Sequence, residues 1–449
     1  MFHTVKLSKS DPTPLYMQLA CELAKLIQAD LLSEGTKLPT IRLLSNRLSI
    51  NRDTVVSAYK LLEQQGLVES HIGRGTYIAS HNTPTTSIFP SATAKPHLCC
   101  SHLNFSDEFY PATLCQELTS QIVHAEGWEA FGDPLLRERR LLKQSAANFL
   151  GKLGIKTHFA QIRIVSSIDD FLLSLFKFSP KVGICVESIR DLSTSCYLRS
   201  IGAKLYEVPL TSEGMDLDIL EKYLHSGMIS YIFISSYLQN PTGISYSAEN
   251  KQKLLELASR YDAYIIEDGT YCDFSSPNLH YQPLYNLCTD HRVIYLYHFS
   301  KIYLPYMRYS FVILPTLFIK RFKDDIECSF NERFLHYYLN SSALSSISTQ
   351  LHTTCITRYQ LLLSKLQSLN SLTVCYPQSY GIWLWCQVPD TLYDDFCQML
   401  AKRSIIIAPG ELFSTLPLKG YFRLSISDLS LDSINELATC LSSYLLPYQ

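Results

Sequence analysis

Six apolar runs recur between residues 162 and 300: IRIVSS near 162, GICVES near 183, AKLYEVPL near 203, YIFISS near 231, AYIIED near 263 and RVIYLYHFS near 292. Each is rich in Val, Ile or Tyr, and helix-length segments separate them. That alternation predicts an α/β body, a mostly parallel sheet with helices on both faces. In such a sheet, ligand-binding groups collect at the carboxyl ends of the strands. From about Leu366 the pattern restarts with LTVCYP, GIWLWCQVP and YFRLSIS, which predicts a smaller α+β subdomain running to the end. The chain has no internal repeat.

With 449 residues, 47% hydrophobic and 18% charged, the chain is long enough for two or three cored domains and too apolar for a disordered protein. Its 39 basic and 41 acidic residues exclude nucleic-acid binding by bulk charge, so any DNA contact is local. No stretch approaches the roughly 18 apolar residues of a membrane span, and the start, MFHTVKLSKSDPTP, lacks a signal-peptide core. A cytoplasmic protein is expected. The 14 cysteines form no Cys-x-x-Cys pair, which predicts reduced thiols and no metal site. Between His81 and His102 lie Pro84, Pro90 and Pro96, many Ser and Thr, and one charged residue, Lys95. Such a stretch buries no core. The expected domains are therefore 1–80, a linker over 81–104, and a body over 105–449.

The first domain reads as three helices and a hairpin. Leu15, Leu19, Leu23, Leu26 and Ile27 recur at helical spacing from Pro14 to Asp30. A second helix fits Thr40 to Leu48, capped by Thr40, with Leu43, Leu44 and Leu48 inward. A third starts at Asn51, another capping residue, packs Val55, Ala58, Tyr59 and Leu62, and ends at Gly66. Leu67 to Ser70 and Thr76 to Ala79 then form two strands about the turn Ile72-Gly73-Arg74-Gly75. This is a winged helix-turn-helix. Residues 1–80 carry nine Lys or Arg against seven Asp or Glu, so placement matters more than the sum. Arg42 and Arg47 fall on the second helix, Asn51, Arg52 and Thr54 at the start of the third, and His71 and Arg74 on the wing. A recognition helix reads base edges with its first residues, while hydroxyls and helix ends contact phosphate. The plainer reading is a packing module with solvated charges.

The string from Pro14 to Ala79 resembles the DNA-binding domain of the GntR family of bacterial regulators throughout. Its marks are Leu38-Pro39-Thr40-x-Arg42, Asn51-Arg52-Asp53-Thr54-Val55, Tyr59, Gly66-Leu67-Val68 and Gly73-x-Gly75-Thr76. The resemblance implies double-stranded DNA as partner, with Arg42, Arg52 and Thr54 as contacts and Arg74 on the wing.

A Schiff-base cofactor such as pyridoxal phosphate needs a lysine for its aldehyde, a carboxylate for its ring nitrogen, donors for its phenolic oxygen and cations for its phosphate. Lys301 follows His298-Phe299-Ser300, Arg308 lies seven positions on, Asp268 ends the run at 264, and Asn240 opens Asn-Pro-Thr-Gly. Each falls at a predicted strand end. Taken singly, Lys301 and Arg308 read better as surface charges, Asp268 as a helix cap and Asn240 to Gly243 as a turn. Together they resemble fold-type I aminotransferases: QNPTG at 239–243, Glu267-Asp268 followed by Tyr271, then Phe299-Ser300-Lys301-x-x-x-Pro305-x-x-Arg308, with APGELF at 408–413 and FRLSIS at 422–427. The resemblance implies pyridoxal 5'-phosphate on Lys301, Asp268 at the pyridine nitrogen, Asn240 and Tyr271 at the phenolic oxygen, Ser300 and Arg308 at the phosphate, and Arg423 on a substrate carboxylate.

A GntR-like reader joined to such a body is the plan of the MocR, or GabR-like, regulators. The resemblance implies a domain-swapped head-to-tail homodimer and control of transcription by the cofactor or by a small amino-acid-like or vitamin effector. Several positions depart from the aminotransferase pattern. Ser166-Ser167-Ile168-Asp169-Asp170 stands where Ser-Gly-Ser-Gln-Gln usually cradles the phosphate, so two carboxylates oppose a dianion there. His298 replaces a usual Ser or Thr, Asp191 a usual aromatic, and Phe131-Gly132-Asp133-Pro134-Leu135-Leu136 lacks a later glycine. The expectation is a regulator with a weakened or re-tuned cofactor site. Two alternatives stay open, a working aminotransferase acting on an amino acid and a regulator whose body has lost the cofactor.

Overall fold

The computed structural model describes residues 15, 16, 18–20, 23, 36–48, 50–64, 68–71, 75–78, 96–110, 112–132, 136–177, 183–274, 281–305, 307–322 and 329–445. The chain divides into two compact units, Met1–Ser87 and Ile88–Gln449.

In the first unit, helix α1 (Ile41–Leu48) begins where Thr40 Oγ1 accepts the Leu43 N–H at 3.3 Å. Helix α2 (Arg52–Gln64) begins where Asn51 Oδ1 accepts the Asp53 N–H at 3.3 Å. Both expected caps are in place. Strands β1 (Val68–His71) and β2 (Gly75–Ile78) pair antiparallel as the wing. Leu19, Leu23, Leu44, Val55, Ala58, Tyr59, Leu62, Val68 and Ile78 form one buried core. The Tyr59 hydroxyl donates to the Pro39 carbonyl at 2.7 Å, tying α2 to the chain before α1. Two details differ from expectation. Leu43 is 56% exposed, because an eight-residue helix offers one inward stripe and Leu44 and Leu48 take it. Residues 36–38 extend the wing, with Leu38 donating to Thr76 and Ile78 to Thr36, each at 2.8 Å. Leu26, Ile27 and Gly66 lie outside the described residues.

The second unit begins with a short strand, β3 (Leu98–Cys99). There follow β4 (Ile162–Val165), β5 (Gly183–Glu187) and β6 (Lys204–Val208). A small ribbon of β7 (Leu210–Thr211) and β8 (Gly214–Met215) leads to β9 (Ile229–Ile234), β10 (Tyr264–Asp268), β11 (Val293–Tyr297) and β12 (Ser310–Ile313). The main sheet has the order β4-β12-β11-β10-β9-β5-β6. Its pairs from β11 through β6 are parallel, whereas β12 runs antiparallel to both neighbours. All six expected runs are strands. The seventh, β12, is not announced by the pattern, since four residues after an irregular stretch give little periodicity.

At the main sheet, among the described residues, three α-helices start within a few residues of a strand's carboxyl end: α3 (Ile168–Lys177) after β4, α4 (Leu192–Ser200) after β5, and the single turn α5 (Phe299–Ile302) after β11. Phe299 and Ile302 of α5 are fully buried, and Phe299 packs against Phe149, Tyr303 and Phe311 with ring centroids 5.1–5.4 Å apart. That packing holds the turn bearing Lys301 rigid. The long helix α6 (Ser342–Leu366) leads into the smaller subdomain. There, β13 (Thr373–Cys375), β14 (Trp383–Gln387), β16 (Ala408–Pro409) and β17 (Tyr421–Ser425) form an antiparallel sheet of order β13-β14-β17-β16. Strand β15 (Ile405–Ile406) pairs in parallel with β3. Residues 97–100, expected in the linker, are thus built into this unit by backbone pairing.

Candidate functional site

A cavity of about 680 Å³ opens where β4, β5, β9, β10 and β11 end. Lys301, Ser300 and His298 enter it from the turn after β11, Asp191 and Ser193 from the turn after β5, and Ser166 from the turn after β4. Asn240, Tyr271 and Arg308 reach it from loops, Arg423 from β17, and Ser101 to Asn104 from the segment after β3. Six expected cofactor and carboxylate residues, Lys301, Asn240, Tyr271, Ser300, Arg308 and Arg423, therefore line one cavity. Asp268 is not part of the lining but lies near enough to act on the charges of Lys301, His298 and Tyr271.

Lys301 keeps exposed surface because it lines the cavity, although protein crowds its amine. Desolvation pushes the ammonium pKa down, but Tyr271, Asp268, Asp191 and Asp169 push it up, and the net result is above the ordinary lysine value. His298 is held neutral. Burial pushes its pKa down, the Lys301 ammonium pushes the same way, and Asp268 opposes only in part, leaving it at about 3. Tyr271 stands edge-on to Trp383, ring centroids 4.9 Å apart, and burial raises its phenol pKa against the pull of Lys301 and Arg423. Asp268 Oδ1 accepts the Thr270 N–H at 3.0 Å and its hydroxyl at 2.5 Å. Ser300 is fixed to the residue before β12, donating its N–H to the Tyr309 carbonyl at 3.0 Å while its Oγ accepts the Tyr309 N–H at 2.7 Å.

Arg423 is 5% exposed. It donates through Nη1 to Asn240 Oδ1 and through Nη2 to the Ser101 carbonyl at 2.6 Å, while its buried Nε has no partner. Burial lowers its pKa to about 10 against Tyr271 and Asp191, so it stays charged at neutral pH. Beneath the cavity lies a polar network that the sequence does not single out. Glu187, ending β5, accepts from Ser235, Gln239 and Tyr246, and Gln239 also bonds Thr242 beside Asn240. Its one legible signal is a carboxylate closing an otherwise apolar strand.

On the first unit, Arg42, Asn51 and Arg52 are exposed and Thr54 is half-buried. Asn51 uses its side-chain oxygen in the α2 cap. The side chains of Arg47 and His71, and all of Arg74, lie outside the described residues.

Residues 142–441 match the family model for class I and II aminotransferases. The chain belongs to that family. Residues 15–78 match the gntR family of bacterial regulatory proteins, and the two matches in one chain make it a MocR-like regulator of the GntR type. Among its relatives, an uncharacterized HTH-type transcriptional regulator, YcxD, of Bacillus subtilis (strain 168) is 28% identical over 73% of this chain and 74% of its own length. The probable rhizopine catabolism regulatory protein MocR of Rhizobium meliloti is 24% identical over 71% of this chain and 69% of its own length. Among solved structures, an archaeal alanine:glyoxylate aminotransferase superposes with a TM-score of 0.70 at 21% identity, over 79% of this chain and 92% of that one. Its agreement is one of fold. In the MocR-like chain the body is thus the aminotransferase architecture, and among the described residues no helix is long and apolar enough to cross a membrane.

Proposed function

We propose that this MocR-like regulator binds double-stranded DNA through its winged helix and takes a pyridoxal-type aldehyde at Lys301. The observation that carries this reading is an amine on a rigid turn, projecting into a cavity that a phenol, an amide and a guanidinium share. At about 680 Å³ the cavity is within the usual range for small-molecule sites. The donor set fits the group: Lys301 for the aldehyde, Asp268 for the ring nitrogen, Tyr271 and Asn240 for the phenolic oxygen, and Ser300 and Arg308 at the opposite end. The orphaned, buried Arg423 Nε suits a carboxylate. Such an aldehyde, when bound, supplies an electrophile that draws electrons from an amine's neighbouring carbon.

The chain's own groups set the conditions. Asp268, Tyr271, Asp191 and Asp169 keep a proton on Lys301 Nζ at neutral pH, and neutral His298 adds no second cation. Arg423, charged and hydrogen-bonded on two of its three nitrogens, orients an acid through the third. On the reader, Arg42, Arg52 and Thr54, with Arg47, His71 and Arg74, take phosphate and base contacts. A second copy covers the aromatic patch of the body, where Trp128, 88% exposed, rests on Phe131, which stacks on Phe330. A dimer would then offer two readers to paired half-sites.

To test this, DNA from upstream of the protein's own coding sequence is titrated at fixed salt with the unaltered chain and with Arg52→Ala, each with and without pyridoxal phosphate. Arg52→Ala weakens specific binding about tenfold, and the aldehyde shifts the affinity of the unaltered chain. Retention on unrelated DNA that equals specific binding and survives Arg52→Ala overturns the reading.

A further inference from the structure

One wall of the cavity carries two opposite charges that the chain leaves unpaired. Arg423 lines the cavity, is 5% exposed, and has a buried Nε without an acceptor. Its guanidinium stands 5.0 Å from the ring centroid of Phe413, another lining residue. The Phe413 carbonyl accepts the Arg190 N–H at 2.7 Å, which draws the turn after β5 up to Phe413. The next residue of that turn is Asp191, which lines the same cavity. Asp191 Oδ1 caps α4, accepting the Ser193 N–H at 2.9 Å and the Ser193 hydroxyl at 2.6 Å. Among the described residues, Oδ2 accepts no hydrogen bond, and no ion pair joins Asp191 to Lys301, Arg308 or Arg423, the cations of the lining. The cap is the plainer role for Asp191, but it occupies one oxygen, and Asn or Ser caps a helix about as well. The charge is therefore surplus to the cap. Glu411, two residues before Phe413, adds a second carboxylate to the lining.

A ligand whose carboxylate lies on Arg423 shares its wall with Asp191. An apolar side chain leaves Asp191 Oδ2 unsatisfied and an acidic one is repelled, whereas an ammonium gives that oxygen a charge-assisted hydrogen bond. We propose that Asp191 is a specificity-determining residue, through which the cavity prefers carboxylic acids bearing a side-chain amine, the class of basic amino acids, over those with apolar or acidic side chains. This rests on the reading that Arg423 takes a ligand's carboxylate.

The test is calorimetric titration of the full chain with L-ornithine, L-norvaline and L-glutamate at fixed pH, with and without pyridoxal phosphate, at low and at high salt. Ornithine and norvaline share a backbone and a chain length and differ only in the terminal amine, so any effect of a substitution on Lys301 or Arg423 cancels in their ratio. The unaltered chain binds ornithine about tenfold tighter than norvaline at low salt, with glutamate weakest, and salt narrows the gap because it screens the attraction. Asp191→Asn keeps an oxygen for the α4 cap and removes the charge, so it abolishes most of the preference while norvaline binds as before. Asp191→Ser, another capping residue, does the same. Norvaline or glutamate bound as tightly as ornithine by the unaltered chain, or a preference that both substitutions leave unmoved, overturns this inference alone. Binding of none of the three, with or without pyridoxal phosphate, overturns it together with the reading on which it rests.

Discussion

Glu187 is a buried carboxylate whose protonation is linked to folding. Burial pushes its pKa from the ordinary 4.5 to about 7, against Arg190 and the hydrogen bonds from Tyr246, Gln239 and Ser235. The folded chain therefore holds a proton at Glu187 that the unfolded chain has released, and stability falls as pH rises from about 4.5 to 7. Glu187→Gln removes that slope. The expected result in urea denaturation is a difference between the two proteins that changes across this window and is flat above it. A parallel slope in both would exclude the assignment. Arg423 gives a second expectation at this scale. Arg423→Lys cannot reproduce a planar fork serving both Asn240 and the Ser101 carbonyl, so it weakens binding of carboxylate-bearing ligands by about tenfold or more, measured by calorimetric titration. Lys301, Asn240, Tyr271 and Arg423 are legible in the sequence because each sits in a short ordered string. Glu187 and Arg190 are not, since their partners come from β9 and the loop after it, and Arg190 stacks on Phe233 of β9 and donates its backbone N–H to the Phe413 carbonyl.

Strand β10 ends on a contact that admits no side chain. A Cβ on Gly269 would overlap the Tyr295 hydroxyl oxygen, and Tyr295 is fully buried and bonded to Tyr281 at 3.0 Å. Gly269→Ala must therefore push the strand end, which carries Asp268 and Tyr271 on either side. Overpacking of this kind costs about 1–3 kcal/mol. Denaturation should register that loss, and aldehyde binding should fall with it; a variant of full stability and affinity would show that the strand end is free to yield. At this scale the sequence is most readable where runs are long and apolar. It fails at β12 and at residues 36–38, short segments whose strand character comes from neighbours already in place rather than from their own pattern.

The two compact units have separate cores, Leu19 to Ile78 in one and the sheet-centred clusters in the other. Each should melt cooperatively by itself. Leu62→Ala, at a fully buried position of the smaller core, is expected to cost about 2–5 kcal/mol and to lower one calorimetric transition while leaving the other in place. A single transition that moves as a whole would exclude independent folding. The reader and the body are separable in the sequence by composition, but the body's first residues are not. Prolines and uncharged side chains near 96 read as tether, whereas backbone pairing of β3 with β15 decides the matter, and pairing between residues about 300 apart leaves no local trace.

The Ser101 carbonyl rests on the same guanidinium that has an N–H to spare. The stretch of chain arriving from the reader is thus stitched to the body by the residue best suited to grasp an incoming acid. Any ligand that draws Arg423 away from Ser101 would undo one of the bonds that hold the chain just after β3 to the body.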